Sequence, residues 1–194
     1  MSQGDLADFP PFDLGADRVL YRVHRSIYPA VWFSTSGDGR FDLTSRPPTG
    51  TLYCSPTPEG AFVEVFGRLG VVTQDVVDER LISQIPLETS LRLADLTDAS
   101  IVGRYGISGD ISASPPAGYA TSQEWAERFY DAGFDGIHYV ARHDPSFSER
   151  SVAIFGSEGQ AEKLASPDSY LIDRDLIDDC HRRFGIEVLP TATL

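Results

Sequence analysis

The stretch 51-TLYCSPTPEGAFVEVFG-67 decides how the chain is read. The turn residues Pro47, Pro48, Thr49 and Gly50 precede it, and Thr51–Cys54 then reads as a strand. Thr57 is a good helix N-cap, with Pro58 at the first helical position and Glu59 near the positive end of the helix dipole. Gly67 is a natural stop. The helix between them is apolar except for Glu64, whose neighbours are Val63 and Val65, with Phe62 and Phe66 one step further. Gly60 and Ala61, one turn back, offer almost no side chain. One reading pairs Glu64 with Arg68 at i,i+4 on the surface, a contact of a few tenths of a kcal/mol. The other makes Glu64 a carboxylate lining a cavity, where its proton affinity and its field matter more.

Upstream, Arg18–Arg25 alternates as a strand, with Val19, Tyr21 and Val23 on one face and Leu20, Arg22 and His24 on the other. Ser34–Arg40 is a loop built on Gly37-Asp38-Gly39. Downstream, the segment from Leu69 to Val77 reads as a strand, and a strand near Ile85 leads into a short Leu93-Ala94-Asp95-Leu96 turn. A helix starts at Thr121 or Ser122, carries Trp125, Phe129 and Tyr130 at helical spacing, and stops at Gly133. "FDGIHYVAR" and "RSVAIFG" are short strands. A last helix over Asp173–Phe184 precedes a terminal strand, Ile186–Leu189. The mixture, without a steady βαβ rhythm, gives the class α+β. The first 17 residues read as a lead-in that packs late or frays, and residues 18–194 as one domain.

Composition narrows the function. The 194 residues are 41% apolar and 23% charged, as in ordinary globular proteins. No apolar run approaches the ~18 residues that span a bilayer, and the acidic start does not resemble a secretory signal. These point to the cytoplasm. Sixteen basic against 29 acidic residues give a net charge of −13, which disfavours binding to nucleic acid. Cys54 and Cys180 make no disulfide framework and read as reduced, buried thiols. The histidines, at 24, 138, 143 and 181, have no metal-site spacing, and no G-x-S-x-G, G-x-G-x-x-G or Walker loop occurs. The acidic run Asp173–Asp179 reads first as a solvated helix face, and second as a docking surface for a basic partner. What remains is a set of Arg, Tyr and Glu: Tyr21, Arg22, Arg40, Tyr53 and Glu64.

"LYRVHR", "SGDGRFD" and "TLYCSPTPEGAFVEVFG", in this order, together resemble the RES domain, a family named for an arginine, a glutamate and a serine. "TSQEWAERFYDAGFDGIHYVARHDPSFSERSVAIFG" extends the likeness, so that it covers residues 18–158 and leaves 159–194 as a helical extension. The resemblance implies an ADP-ribosyltransferase-like fold, two small angled sheets with helices around a cleft for NAD. It implies cleavage of the nicotinamide–ribose bond by hydrolysis or phosphorolysis, in a toxin neutralised by an Xre-type antitoxin, without a metal. Arg22 and Glu64 match the family's catalytic positions, and Tyr21, Arg40 and Tyr53 match its pocket positions. The usual loop tryptophan is Phe41 here, and a frequent asparagine is Asp42. The serine has no match at Ala141, and Thr121 and Ser122 are the hydroxyls at the other expected place, with Thr121 taken for the pocket. Two arginines suit a pyrophosphate, a tyrosine ring suits the flat nicotinamide cation, and a carboxylate suits the positive charge that develops on the ribose. Mono-ADP-ribosylation of a protein, or partner binding with little catalysis, stays open, as does self-association.

Overall fold

The computed structural model describes residues 6–159 and 164–191. Ten strands and five α-helices follow one another in the described chain. The strands are β1 (Pro11–Leu14), β2 (Val19–Arg25), β3 (Thr49–Cys54), β4 (Val71–Thr73), β5 (Arg80–Pro86), β6 (Leu91–Asp95), β7 (Gly136–Val140), β8 (Arg150–Ser157), β9 (Asp168–Leu171) and β10 (Glu187–Leu189). The helices are α1 (Pro58–Phe66), α2 (Gln74–Asp78), α3 (Ser100–Tyr105), α4 (Tyr119–Asp131) and α5 (Arg174–Phe184). A five-stranded sheet runs β1-β6-β7-β8-β3, a three-stranded sheet runs β2-β5-β9, and β10 pairs with β4. This is the expected α+β arrangement of small sheets with surrounding helices.

The sheets meet at one seam. Tyr21 and Ser55 exchange backbone hydrogen bonds of 2.7 and 2.8 Å, which joins β2 to the end of β3. Immediately after the seam the chain enters α1. Thr57 caps it as expected, its Oγ accepting from the Gly60 N–H at 3.0 Å. Gly60 is required here, because a side chain would collide with the Ser55 hydroxyl. Phe62 and Phe66 stack at i,i+4, 4.5 Å apart, and both are fully buried. Each such side chain contributes about 1.5–3 kcal/mol by leaving water. They belong to a core shared with Val23, Ile82, Ile177 and Cys180, so α1 is wedged among β2, β5 and α5. A second core lies under α4 and contains Phe41, Phe129, Tyr139 and Phe155. A third fills the space between the sheets with Leu20, Leu52, Ile85 and Ile154.

Several sequence expectations change. Leu91–Asp95 is strand β6, not a turn, because it is buried between β1 and β7. The Leu69–Val77 segment divides into β4 and then α2. Part of the lead-in is built into the fold: β1 pairs with β6 and Phe9 is 1% exposed. Its residues 1–5, and residues 160–163 and 192–194 of the extension, lie outside the described residues. No helix among the described residues is long and apolar enough to cross a membrane.

The β7–β8 turn is held by buried Asp144. Its carboxylate accepts from the N–H and hydroxyl of Ser146 (2.8 and 2.7 Å), from those of Ser148 (2.6 and 3.0 Å) and from the Glu149 N–H (2.7 Å). Burial raises its pKa, but these donors, Glu149 foremost, outweigh it and hold the carboxyl at about 2. A depressed pKa adds stability above the unfolded value of about 3.9 and loses it as pH falls toward the folded one. Asp144→Ala should therefore cost about 2 kcal/mol or more in urea unfolding at neutral pH, with a gap that closes as pH drops from about 4 to 2. A gap independent of pH would contradict this.

Candidate functional site

A cleft of about 310 Å³ opens at the seam. β2 supplies Tyr21, Arg22 and Val23, β3 supplies Tyr53 and Cys54, and α1 supplies Ala61, Glu64 and Val65. The glycine loop adds Gly39 and Arg40, α4 adds Tyr119, and β7 adds Tyr139. Five of the six residues singled out in the sequence, Tyr21, Arg22, Arg40, Tyr53 and Glu64, thus converge. Thr121 does not: it is exposed on α4 and lies outside the cleft lining, and Tyr119 is the residue that the helix start contributes. Ser122 is buried, and its hydroxyl is spent on the Tyr119 carbonyl at 3.0 Å.

Glu64 turns inward rather than toward Arg68. Its Oε1 accepts from the Ser151 hydroxyl at 3.2 Å and from the Arg142 N–H at 3.3 Å. Burial pushes its pKa up, and Arg40, Ser151 and Arg142 only partly offset this. Ser151 was missed in the sequence. It is the one hydroxyl in the apolar run "RSVAIFG", and it sits on β8 directly opposite Tyr139 of β7. Cross-strand partners share a sheet face, so Ser151 and Tyr139 both look toward Glu64. Burial first, and then the charge of Glu64, raises the Tyr139 pKa well above its ordinary value. Tyr139 thus stays a neutral hydroxyl.

Arg40 is 7% exposed. Its guanidinium lies 5.7–5.9 Å from the ring centroids of Phe41, Tyr119 and Tyr139. Its Nε is buried with no hydrogen-bond partner among the described residues. The loop that carries it is clamped from two sides. The Tyr53 hydroxyl donates to Asp42 Oδ1 at 2.8 Å and accepts from the Phe41 N–H at 2.8 Å. Asp42 Oδ2 accepts from the Gly39 N–H at 2.9 Å. From α4, the Gln123 amide donates to the Gly37 and Gly39 carbonyls at 2.8 and 2.9 Å. Position 39 must be glycine, because a side chain would strike Asp42 and the Tyr53 hydroxyl. So Tyr53 and Asp42 set the loop, and only the Tyr53 ring faces the cleft.

Arg22, on β2, donates from Nη1 to the Ala30 carbonyl at 2.6 Å. Burial lowers its pKa, yet a guanidinium is so basic that it remains a cation at neutral pH. Cys54, buried beside it, has its thiol pushed up to about 12 by burial, so it is not a thiolate nucleophile. The cleft therefore offers two fixed cations, one half-buried carboxylate and several aromatic rings. No group of residues suited to a metal ion occurs among the described residues.

Tyr53→Phe would leave the Phe41 N–H without its acceptor and Asp42 Oδ1 without its donor. The expected loss is about 1–3 kcal/mol in chemical unfolding. A change of only a few tenths would mean that the clamp does not hold the loop.

No curated protein matches the chain in sequence. A chain in the crystal structure of the M. tuberculosis MbcT–MbcA toxin–antitoxin complex has a similar fold, with a TM-score of 0.67 at 13% identity. The match covers 88% of this chain and 92% of that one. The model of the RES domain matches residues 19–175, an interval that contains every cleft residue named above. The chain belongs to the RES domain family.

Proposed function

We propose that the protein cleaves NAD at the nicotinamide–ribose bond in the cytoplasm, as the toxin of a toxin–antitoxin pair. The observation that carries this reading is Arg40, a buried guanidinium whose Nε has no partner among the described residues and which lines the same cleft as the half-buried carboxylate of Glu64. An unpaired buried donor on a cation is costly unless a ligand completes it. An anionic group such as a pyrophosphate oxygen does so, and Arg22 adds a second cation.

A cleft of about 310 Å³ is at the small end of ligand sites. It would enclose the reacting nicotinamide–ribose half and leave the adenylate half outside. Tyr21, Tyr53, Tyr119 and Tyr139 provide faces against which a flat cation rests. Cleavage develops positive charge on the ribose, and Glu64 is the anion fixed in advance to meet it. The Ser151 hydroxyl and the Arg142 N–H hold that carboxylate in one orientation and favour its ionised form. The partner role rests on the fold likeness to a chain of a toxin–antitoxin complex, and an Xre-type antitoxin is the partner that the family resemblance implies.

The test is chromatographic measurement of nicotinamide released from NAD by the purified protein. Wild type should release it, while Glu64→Gln should lose roughly 100-fold or more of the rate. Glu64→Gln should not lower the thermal midpoint, because it removes a carboxylate that burial disfavours. Absence of nicotinamide release, or full activity in Glu64→Gln, would overturn the reading. Labelled ADP-ribose on a protein acceptor would make the enzyme a transferase instead.

The pH profile supplies a separate prediction. Glu64 acts as an anion and its pKa is raised, so activity is retained above that pKa and falls as pH drops through it. The acid limb should lie above the ordinary glutamate value of about 4.3. Ser151→Ala removes a donor that lowers the pKa and should move the limb to higher pH. An unmoved limb would separate Ser151 from the ionisation of Glu64.

A further inference from the structure

The three-stranded sheet ends at β9, whose outer edge pairs with no other strand among the described residues. An edge strand presents free N–H and C=O groups, and proteins commonly guard it with lysine, proline or a bulge. β9 is Asp168-Ser169-Tyr170-Leu171 and has neither lysine nor proline. All four residues are exposed, Tyr170 by 49% and Leu171 by 71%.

Beside this edge runs a groove of about 550 Å³, larger than the cleft. Tyr21, Ile82 and Gln84 lie in it from the sheet, and Tyr170, Leu171 and Leu176 make its apolar sides. Its other residues include four carboxylates, Glu59, Asp173, Asp175 and Asp179, and among the described residues no lysine or arginine lines it. Nearby, Arg183 is engaged with Glu59, Asp179 and Glu149, Arg182 pairs with Asp179 at 2.9 Å, and Asp173 caps α5 by accepting from the Leu176 N–H. Asp175 has no side-chain partner among the described residues. The groove is thus apolar inside, anionic along one side and bordered by an open strand edge.

We propose that this edge and groove dock a basic, extended segment of a protein partner. The segment adds a strand to β9 and sets its arginine or lysine side chains beside Asp173, Asp175 and Asp179. Charge selects this occupant. Pairing two copies through β9 would bring Asp168, Asp173 and Asp175 of both together, in a chain of net charge −13. A nucleic acid is rejected by the same field. Tyr21 lines both the groove and the cleft, so the docked segment lies against a wall of the catalytic site.

The test is fluorescence anisotropy with the full-length protein and a labelled octapeptide of alternating arginine and valine. Saturable binding at one site is expected. Replacing the arginines with glutamates, or N-methylating alternate amides, should each weaken it roughly tenfold or more. Tyr170→Lys and Asp175→Lys should weaken it similarly without changing the thermal midpoint, and Glu88→Lys, at an exposed acid outside the groove, should not. The proposal is overturned by absence of saturable binding, by equal binding of the N-methylated peptide, or by an effect of Glu88→Lys as large as that of Asp175→Lys. A dimer in light scattering that Tyr170→Lys dissolves would assign the edge to a second copy and also overturn it. No turnover is read, so failure here leaves the NAD reading intact.

Discussion

A guanidinium removed from water and left with one donor unpaired is the constraint around which the cleft is arranged. Arg40 is 7% exposed and its Nε has no partner among the described residues. Cations are rarely buried this way, because desolvation exceeds what a poor partner returns. Three aromatic rings return part of it, as does the negative charge of Glu64 nearby. The remainder is imposed by the loop. Tyr53, Asp42, Gly39 and Gln123 over-determine its backbone, so Arg40 has little freedom to turn back to solvent. Strain or mismatch held by surrounding structure in this way is a mark of preorganisation.

Glu64 is held by a separate set of contacts. The Asp144 turn presents Glu149, whose carboxylate accepts from the Thr57 hydroxyl at 2.5 Å and pairs with Arg183 of α5. Thr57 in turn caps α1. The same turn brings the Arg142 N–H to Glu64. Cation and anion therefore reach the cleft on separate elements, the glycine loop and α1, each fixed by its own polar contacts. Neither has to move for the two to face a common ligand.

The local signals of α1 were legible: Thr57, Pro58 and Gly67 mark its ends, and Glu64, the acid beyond its first turn, marked the cleft. The strand β2 was legible from alternation, and both Tyr21 and Arg22 on it line the cleft. β6 was not legible, because five residues buried between two strands carry no period of their own. β1 was hidden by its proline and by a partner, β6, about eighty residues away in sequence. Ser151 was hidden for a related reason. A serine in an apolar strand looks like filler until the β7–β8 pairing sets it against Tyr139 and Glu64, the latter 87 residues away. Tyr53 and Asp42 were legible as residues of interest, but not as a clamp, since their hydrogen bond joins a strand to a loop 11 residues earlier.

The central claim is that Arg40 and Glu64 face one ligand, and that it is NAD. A crystal structure of the Glu64→Gln variant soaked with NAD tests it most directly. The account predicts the nicotinamide–ribose bond beside residue 64, with a pyrophosphate oxygen completing Nε of Arg40. NAD seated along β9, or bound with its adenine end in the cleft and Nε of Arg40 still unpaired, would contradict it.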